Sequence, residues 1–213
     1  MANRPIFQAI AKEPYCMINN VEFKFYSGFS VVQKQRSIDS LHTEYLKKHQ
    51  NTKILEISSK SKLDIGVNLS AFNLMYNYQD ELISVECAFQ GSKAFELGGP
   101  YTDIYFKTSY EAKKDTRLRE SGKLTKFVLD GVEYPLEPKD LFYNWIYINA
   151  LHKNESSNEV ILFDAFTDIE FNPQKSINCQ AKAVAIYVGL VRSGKISEAL
   201  NSFDSFRKIV YFK

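Results

Sequence analysis

Residues 83–96 read ISVECAFQGSKAFE. From Val85 to Phe95 the stretch is apolar or small at almost every position and reads as a helix, yet it carries Glu86, Gln90 and Lys93 at offsets of four and seven. On a helix of about 3.6 residues per turn those offsets stack the three polar groups into one narrow stripe. Such a stripe is either a solvated face, with Glu86 placed for surface pairing, or the lining of a pocket. Composition alone favours the solvated face, so the segments around the helix have to decide.

Upstream, NVEFKFYSG (20–28) alternates Val21, Phe23 and Phe25 against Glu22, Lys24 and Tyr26 and reads as a half-buried strand. Ser37 is placed to cap the helix SIDSLHTEYLKK, and TKILEISS (52–59) reads as a second strand. SKSKLDIGVNLSAFN reads as a loop, and MYNYQDELISVE turns near Gln79-Asp80 into the opening helix. Downstream, Gly98 and Pro100 are expected to end that helix. Ser109 is placed to cap YEAKKDTRLRES, with Gly122 closing it. KLTKFVLDGVEYPLEP reads as a hairpin turning at Asp130-Gly131, with Pro135 confining its second strand to an edge or bulge.

Pro138 starts an aromatic-rich helix, KDLFYNWIYINALHK. A nearly uncharged helix from Asn178 to Val191 reads as central to the core, and Ser197 caps a last helix, SEALNSFDSFRKIVYF. The alternation is too irregular for a parallel α/β sheet. The expected class is α+β: a predominantly helical single domain, residues 1–213, with a small, mainly antiparallel sheet.

The 213 residues are 45% hydrophobic and 24% charged, which excludes disorder as the default reading. A formal charge of +2 argues against a protein that holds nucleic acid through a large standing excess of Lys and Arg, and is compatible with a small basic patch. Cys16, Cys87 and Cys179 form no CxxC and no zinc-like spacing with His42, His49 or His152, and the carboxylates form no recognisable ligand spacing. No metal and no cofactor are expected, and the compartment is read as a reduced cytoplasm. MANRPIFQAI has no leader pattern, and no window approaches 18 uncharged apolar residues, so no membrane partner is expected.

Two further constellations carry possible chemistry. Lys113, Lys114, Arg117 and Arg119, mixed with Glu111, Asp115 and Glu120, form either a salt-bridged solvated helix or a phosphate-receiving patch. Asp164, Asp168 and Glu170 precede a helix start near Ser176 to Asn178, with Lys175 beside it, where free backbone N–H groups suit a pyrophosphate. Walker loops, GxGxxG, HExxH and GxSxG are absent.

Several stretches, in order, resemble the NADAR superfamily. Leu69-Ser70-Ala71-Phe72-Asn73 resembles its LSNF segment, and Ser84 to Lys93 resembles its SVEHxxQAxK helix. Ser109-Tyr110-Glu111-Ala112-Lys113 resembles its SPxEAK helix start, and Asp164 followed by Asn178 its DxxWG…GxN segment. Thr167 stands where many members have Trp, Asp168 where they have Gly, and Ser176 replaces the Gly before the Asn. The GGPYTDIY segment (98–105), the hairpin ending in YPLEP and the N-terminal QKQRSIDSLH look like the NADAR antitoxins paired with DarT-type DNA ADP-ribosyltransferase toxins. Residues 1–53 would then be a branch-specific extension packed on the domain.

The resemblance implies an N-glycosidase that removes ADP-ribose from guanine bases in DNA, reversing the toxin's modification. Its substrate would be ADP-ribosylated, preferably single-stranded DNA, its product ADP-ribose, and its functional partner the cognate DarT-type toxin. The alternatives are an N-glycosidase on phosphoribosylamino intermediates of the riboflavin pathway and a non-catalytic ADP-ribose-binding module. The resemblance points Glu86, Gln90 and Lys93 into a pocket. Glu86 and Lys93 are the expected catalytic pair, Lys93 as general acid or as Schiff-base nucleophile, with Asp103 at the guanine edge or in proton transfer. The expected ligand contacts are Ser70, Phe72, Gln90, Tyr101, Lys113, Trp145, Asp164, Asp168 and Asn178, the aromatics among them as stacking faces. For Trp145, core packing is an equally good reading.

Overall fold

A computed structural model describes residues 1–211. The chain forms two compact units, one built from Met1–Ser70 together with the chain from Glu155 onward, the other from Ala71–Asn154. The class is α+β.

The first unit opens with strand β1 (Ala2–Ala9), paired antiparallel along its length with β2 (Cys16–Phe23). The sequence pattern gives no strand at β1, because Pro5 and polar residues hide it. Pro5 lies outside the short register that β1 makes on its other edge, so its missing N–H breaks no ladder bond there. Helix α1 (Val31–Leu46) begins about two turns before the expected start, capped by Ser30, whose side chain accepts from Gln33 N at 3.3 Å. Ser37 lies inside the helix and is buried, accepting from Tyr26 N at 2.9 Å. That bond fastens the β2–α1 connection while Ile38, Leu41 and Tyr45 pack on Ile6, Phe23 and Ala165. Strand β3 (Ile54–Glu56) follows, and the expected loop after it contains a short helix, α2 (Asp64–Asn68).

The second unit begins with a hairpin of β4 (Met75–Tyr78) and β5 (Glu81–Ser84), turning where Gln79 and Asp80 take φ of 49° and 66°. Helix α3 (Val85–Gly91) then stops four residues short of the expected Phe95. Ser92 is its C-cap, and Lys93–Phe95 becomes strand β6. The helix ends under Tyr105: a Cβ on Gly91 would sit 2.4 Å from that ring. Gly98 therefore caps nothing; its carbonyl accepts from Phe95 N, and Gly99 takes the left-handed φ of +81°.

A 3₁₀ turn (Thr102–Phe106) precedes α4 (Ser109–Lys114) and α5 (Arg117–Glu120), two short helices where one was expected. The break falls at Asp115, and Thr108 rather than Ser109 is the cap, in a capping box with Glu111. Strands β7 (Leu124–Leu129) and β8 (Val132–Tyr134) form the expected hairpin, turning at Asp130 and Gly131 with φ of 52° and 74°. The order β6-β7-β8 puts β8 at an edge, ending just before Pro135. Helix α6 (Leu141–His152) supplies the unit's aromatic core, where Phe89, Phe127, Phe142 and Tyr143 meet.

The chain then completes the first unit with α7 (Ser157–Val160), β9 (Ala165–Thr167), α8 (Gln180–Arg192), α9 (Ile196–Ala199) and α10 (Phe203–Tyr211). Strand β9 lies between β1 and β3, antiparallel to the first and parallel to the second, giving the order β2-β1-β9-β3. Helix α8 is the expected buried helix, and it comes so close to the 10–15 turn that a Cβ on Gly189 would lie 2.2 Å from Tyr15 O. The single C-terminal helix expected from Ser197 is two, the second capped by Ser202, which accepts from Ser205 N at 3.1 Å. Its expected last residue, Phe212, lies outside the described residues.

Candidate active site

In the second unit, Ser84 ends β5 and caps α3, its Oγ accepting from Cys87 N at 3.1 Å. Ser109 Oγ lies 2.7 Å from Ser84 Oγ and 2.9 Å from Phe72 O, and Glu86 N donates to Ala71 O at 2.9 Å. The Ala71–Asn73 segment, the start of α3 and the start of α4 are thus tied together by hydrogen bonds. That arrangement aims Glu86 and Gln90 inward, at 7% and 8% exposure.

Gln90 Nε2 donates to Glu86 Oε1 at 2.9 Å, and Lys93 Nζ donates to Gln90 Oε1 at 2.6 Å. Carboxylate, amide and amine therefore form one chain. Lys93 reaches it from strand β6 rather than from the helix, with its Nζ 4.7 Å from the Phe89 ring centre. The half-buried ammonium is poorly solvated, and burial pulls its pKa down to about 8, with Glu86 opposing that shift and Lys113 adding to it. Lys113, whose charge acts on the Lys93 amine, has its own Nζ 5.3 Å over the Phe72 ring.

Asp103 has a different environment. Arg117 donates to both its oxygens, at 3.1 and 2.7 Å, and also pairs with Asp115, while Lys107 lies 3.2 Å from Asp103 and 2.8 Å from Asp115. The Arg117 guanidinium, then Lys107, hold the Asp103 carboxyl below the usual range, so it stays ionised. Tyr101 lies under that guanidinium, 4.4 Å from its centre, and its hydroxyl bonds Ser121. Trp145, on α6, hydrogen-bonds the side chain of Tyr134, which packs on Phe142 at 4.9 Å. That anchors Trp145 against the β7–β8 hairpin.

The first unit holds the other four expected residues. Ser70 is 2% exposed, and its Oγ has no hydrogen-bond partner. Asn178 likewise buries an Oδ1 without a partner, two residues before α8. Asp164 accepts from Lys53 N and from Arg192, both at 3.0 Å. Asp168 accepts from Glu170 N at 3.0 Å and Phe171 N at 3.2 Å, and burial, then the neighbouring Glu56 charge, push its carboxyl up to about 8.

Glu56 itself is absent from the sequence-based expectations. It is 3% exposed and accepts from Ser58 Oγ at 2.7 Å, Thr167 Oγ1 at 2.6 Å and Ile169 N at 2.8 Å. The available signal was an acid inside ILEIS, a strand apolar or small on both faces. Among the described residues, no group of three or more His, Cys, Asp and Glu side chains is placed to hold a metal ion. No helix among them is long and apolar enough to cross a membrane.

Residues 2–213 match the family described as DarT1-associated NADAR antitoxin. The chain belongs to that family. The match spans the N-terminal strands as well as the Glu86–Lys93 segment, so membership of this NADAR branch rests on both units. Its role is that of an antitoxin associated with a DarT-type toxin. The comparison with curated proteins returns no match. Within this NADAR chain the second unit links Glu86, Gln90 and Lys93 by hydrogen bonds, places Lys113 over Phe72, and pairs Tyr101 with Asp103 through Arg117. Ser70, Asp164, Asp168 and Asn178 belong to the first unit.

Proposed function

We propose that this antitoxin is an N-glycosidase that removes ADP-ribose from ADP-ribosylated guanine in DNA, preferably single-stranded, and so reverses the toxin's modification. The observation that carries the reading is the buried Glu86–Gln90–Lys93 chain with an amine whose pKa is about 8. An ADP-ribose reader has no use for such an amine.

Cleavage of the bond between ribose C1″ and a guanine nitrogen develops positive charge on the sugar and negative charge on the base. In this reading Glu86 stabilises the cationic sugar. Lys93 attacks C1″ as the neutral amine, the C1″–O4″ bond breaks and O4″ takes a proton from the attacking nitrogen. The C1″–guanine bond then breaks to leave the protonated imine, and solvent water protonates the departing guanine nitrogen. Water then hydrolyses the resulting iminium, releasing ADP-ribose and regenerating the amine. At pH 7 a pKa of about 8 leaves about a tenth of the amine neutral. Gln90 holds the amine and the carboxylate at a fixed separation, and gives the carboxylate a donor that persists when Lys93 loses its proton. Phe72 offers a face to the base, and Lys113 offers positive charge to the pyrophosphate.

Asp103, ionised throughout the working range, is read as an acceptor for the guanine N–H edge rather than a proton carrier. Tyr101 is read as the ring that positions Arg117 behind it, and Trp145 as a packing residue. Ser70 and Asn178 are read as ligand contacts because each buries an oxygen without a partner. Asp164 and Asp168 keep that role on the family resemblance.

The test is borohydride reduction during turnover of a guanine-ADP-ribosylated oligonucleotide. The expected result is a covalent adduct on Lys93, absent in Lys93→Arg, with an activity limb that rises through about pH 8. A limb that falls through the same pH, with no adduct, would make Lys93 the general acid. Release from phosphoribosylamino compounds but not from the oligonucleotide would refute the DNA substrate, and tight ADP-ribose binding without turnover of either would refute the enzyme.

A further inference from the structure

At the start of α3, the second unit carries a groove of about 430 Å³ whose lining includes Phe72, Met75, Leu82, Tyr105, Phe106 and Lys107. That size lies within the roughly 300–1,000 Å³ of ligand pockets. Its position is fixed by residues already described: Ser84 and Ser109, joined by their hydroxyls, line it, Ser84 caps the helix that carries Glu86 and Gln90, and Phe72 is common to the groove and to the Lys113 contact. Leu82 and Phe106 are 65% and 67% exposed, although each is large and apolar. Phe106 stands out because Tyr105, its neighbour in the 3₁₀ turn, is turned inward to meet Tyr78 and Gly91.

The charges near the groove are unevenly engaged. From Asp103 to Glu120 the sequence has five cations against four carboxylates. Lys107 and Arg117 are engaged by Asp103 and Asp115, but Lys113 and Lys114 are held over aromatic rings, Lys113 at 5.3 Å over Phe72 and Lys114 at 3.9 Å over Tyr110. Tyr110 is itself 61% exposed. Aromatic faces interleaved with ammonium groups on an apolar floor match a flexible polyanion with flat, unpaired bases, which stack without sequence preference while the phosphates meet the cations. An apolar peptide would leave the lysines unanswered, and a duplex keeps its bases stacked inside.

We infer that this groove is the track for the single-stranded nucleotides flanking the modified guanine, with Phe106 in its lining and Tyr110, next to the lining residue Ser109, as stacking platforms for their bases. The inference rests on the glycosidase reading and adds a strand-binding surface outside the reacting centre. Both platforms are exposed, so replacing them with Ala leaves the core intact.

The experiment compares two substrates, a single-stranded oligonucleotide with one ADP-ribosylated guanine and ADP-ribosylated deoxyguanosine, which has no flanking nucleotides. Phe106→Ala and Tyr110→Ala are expected to lower kcat/KM on the oligonucleotide about tenfold each and to leave the nucleoside unchanged. Equal falls on both substrates, or no fall on the oligonucleotide, would overturn the track; the second result would give the groove to a protein partner. If the wild-type protein cleaves neither substrate, the glycosidase reading fails on its own. The groove is then judged by fluorescence anisotropy with an unmodified labelled single strand, where weaker binding by both variants supports the track and unchanged binding overturns it.

Discussion

Each unit buries one glutamate, and the two are solvated by protein in different ways. In the first unit Glu56 receives three donors, from Ser58, Thr167 and the Ile169 backbone, and Thr167 is in turn met by His42 Nε2 at 2.8 Å. In the second, Glu86 receives Gln90, which also accepts from an amine poised near neutrality. A carboxylate supplied with donors from three directions is a structural tie, since its lone pairs are committed to holding β3 and β9 together. A carboxylate with one neutral donor and a titratable amine one residue further along has capacity left for a ligand. The contrast is between polar burial that holds a fold and polar burial proposed to perform chemistry, and each half can be tested.

The largest effect is expected from Glu86→Gln, which keeps the shape and removes the charge. It should lower kcat/KM on ADP-ribosylated oligonucleotide by about 10²–10⁴-fold, the span usual for a charged group acting in the transition state, with little change in Tm. Loss of folding instead would mean that Glu86 is a tie like Glu56.

Lys93→Met comes next and has two signatures. It should abolish turnover while raising stability at neutral pH, because a lysine pKa lowered from 10.5 to about 8 means that the folded chain holds its proton less well than the unfolded chain. Between pH 8 and 10.5 the unfolded state binds more protons, so the wild-type protein gains stability as pH rises through that window. The advantage of Lys93→Met should be full below pH 8 and vanish near pH 10.5. Denaturation midpoints across that range measure it, and a flat difference would show that the amine is not destabilised by burial.

Glu56→Ala is the converse. It strands the Thr167 hydroxyl and the Ile169 N–H at about 1–3 kcal/mol for each unsatisfied group, and roughly 2–4 °C of Tm per kcal/mol in a chain of this size. The Tm should drop by several degrees while the remaining folded protein turns over substrate normally. A rate loss matching that of Glu86→Gln would erase the distinction between the two sites.

The same contrast explains what the sequence disclosed. The Asp130-Gly131 and Gln79-Asp80 turns were legible because left-handed backbone selects particular residues locally, and the helix before Arg192 because its apolar composition is continuous. The Glu86, Gln90 and Lys93 set was legible as a spacing, although the helix ends at Gly91. At Gly91 the Tyr105 ring packs where a side chain would otherwise stand, a non-local contact that periodicity does not record. Strand β1 was hidden by Pro5, and Glu56 by its short strand. Beyond Ser58, the carboxylate's partners lie 111 and 113 residues away in sequence, outside any local pattern. The Asp103 ion pairs were hidden for the same reason, being made by an arginine 14 residues downstream.

The smallest expected effect probes the outer end of the Glu56 tie. His42 is pulled down to about 4 by burial, against Asp39, which favours its proton, and with Lys62, which opposes it. Because Thr167 Oγ1 donates to Glu56, it must accept from His42, which fixes the proton of the neutral ring on Nε2. A folded pKa of about 4 against 6.5 unfolded makes the unfolded state the better proton acceptor between those values. Stability is therefore lost as pH falls, by about 1 kcal/mol between pH 7 and 5.5. Asp168, raised to about 8, acts with the opposite sign over the same interval: the folded state holds its proton better, and stability rises as pH falls. The wild-type profile mixes the two, so the comparison is with His42→Gln, which keeps a donor for Thr167 and removes the titration. The variant should gain on the wild-type protein by that 1 kcal/mol on acidification from pH 7 to 5.5 in urea denaturation, with turnover unaffected at both. A constant difference would mean that the His42 ring takes up its proton in place, and the tie would then end at Thr167.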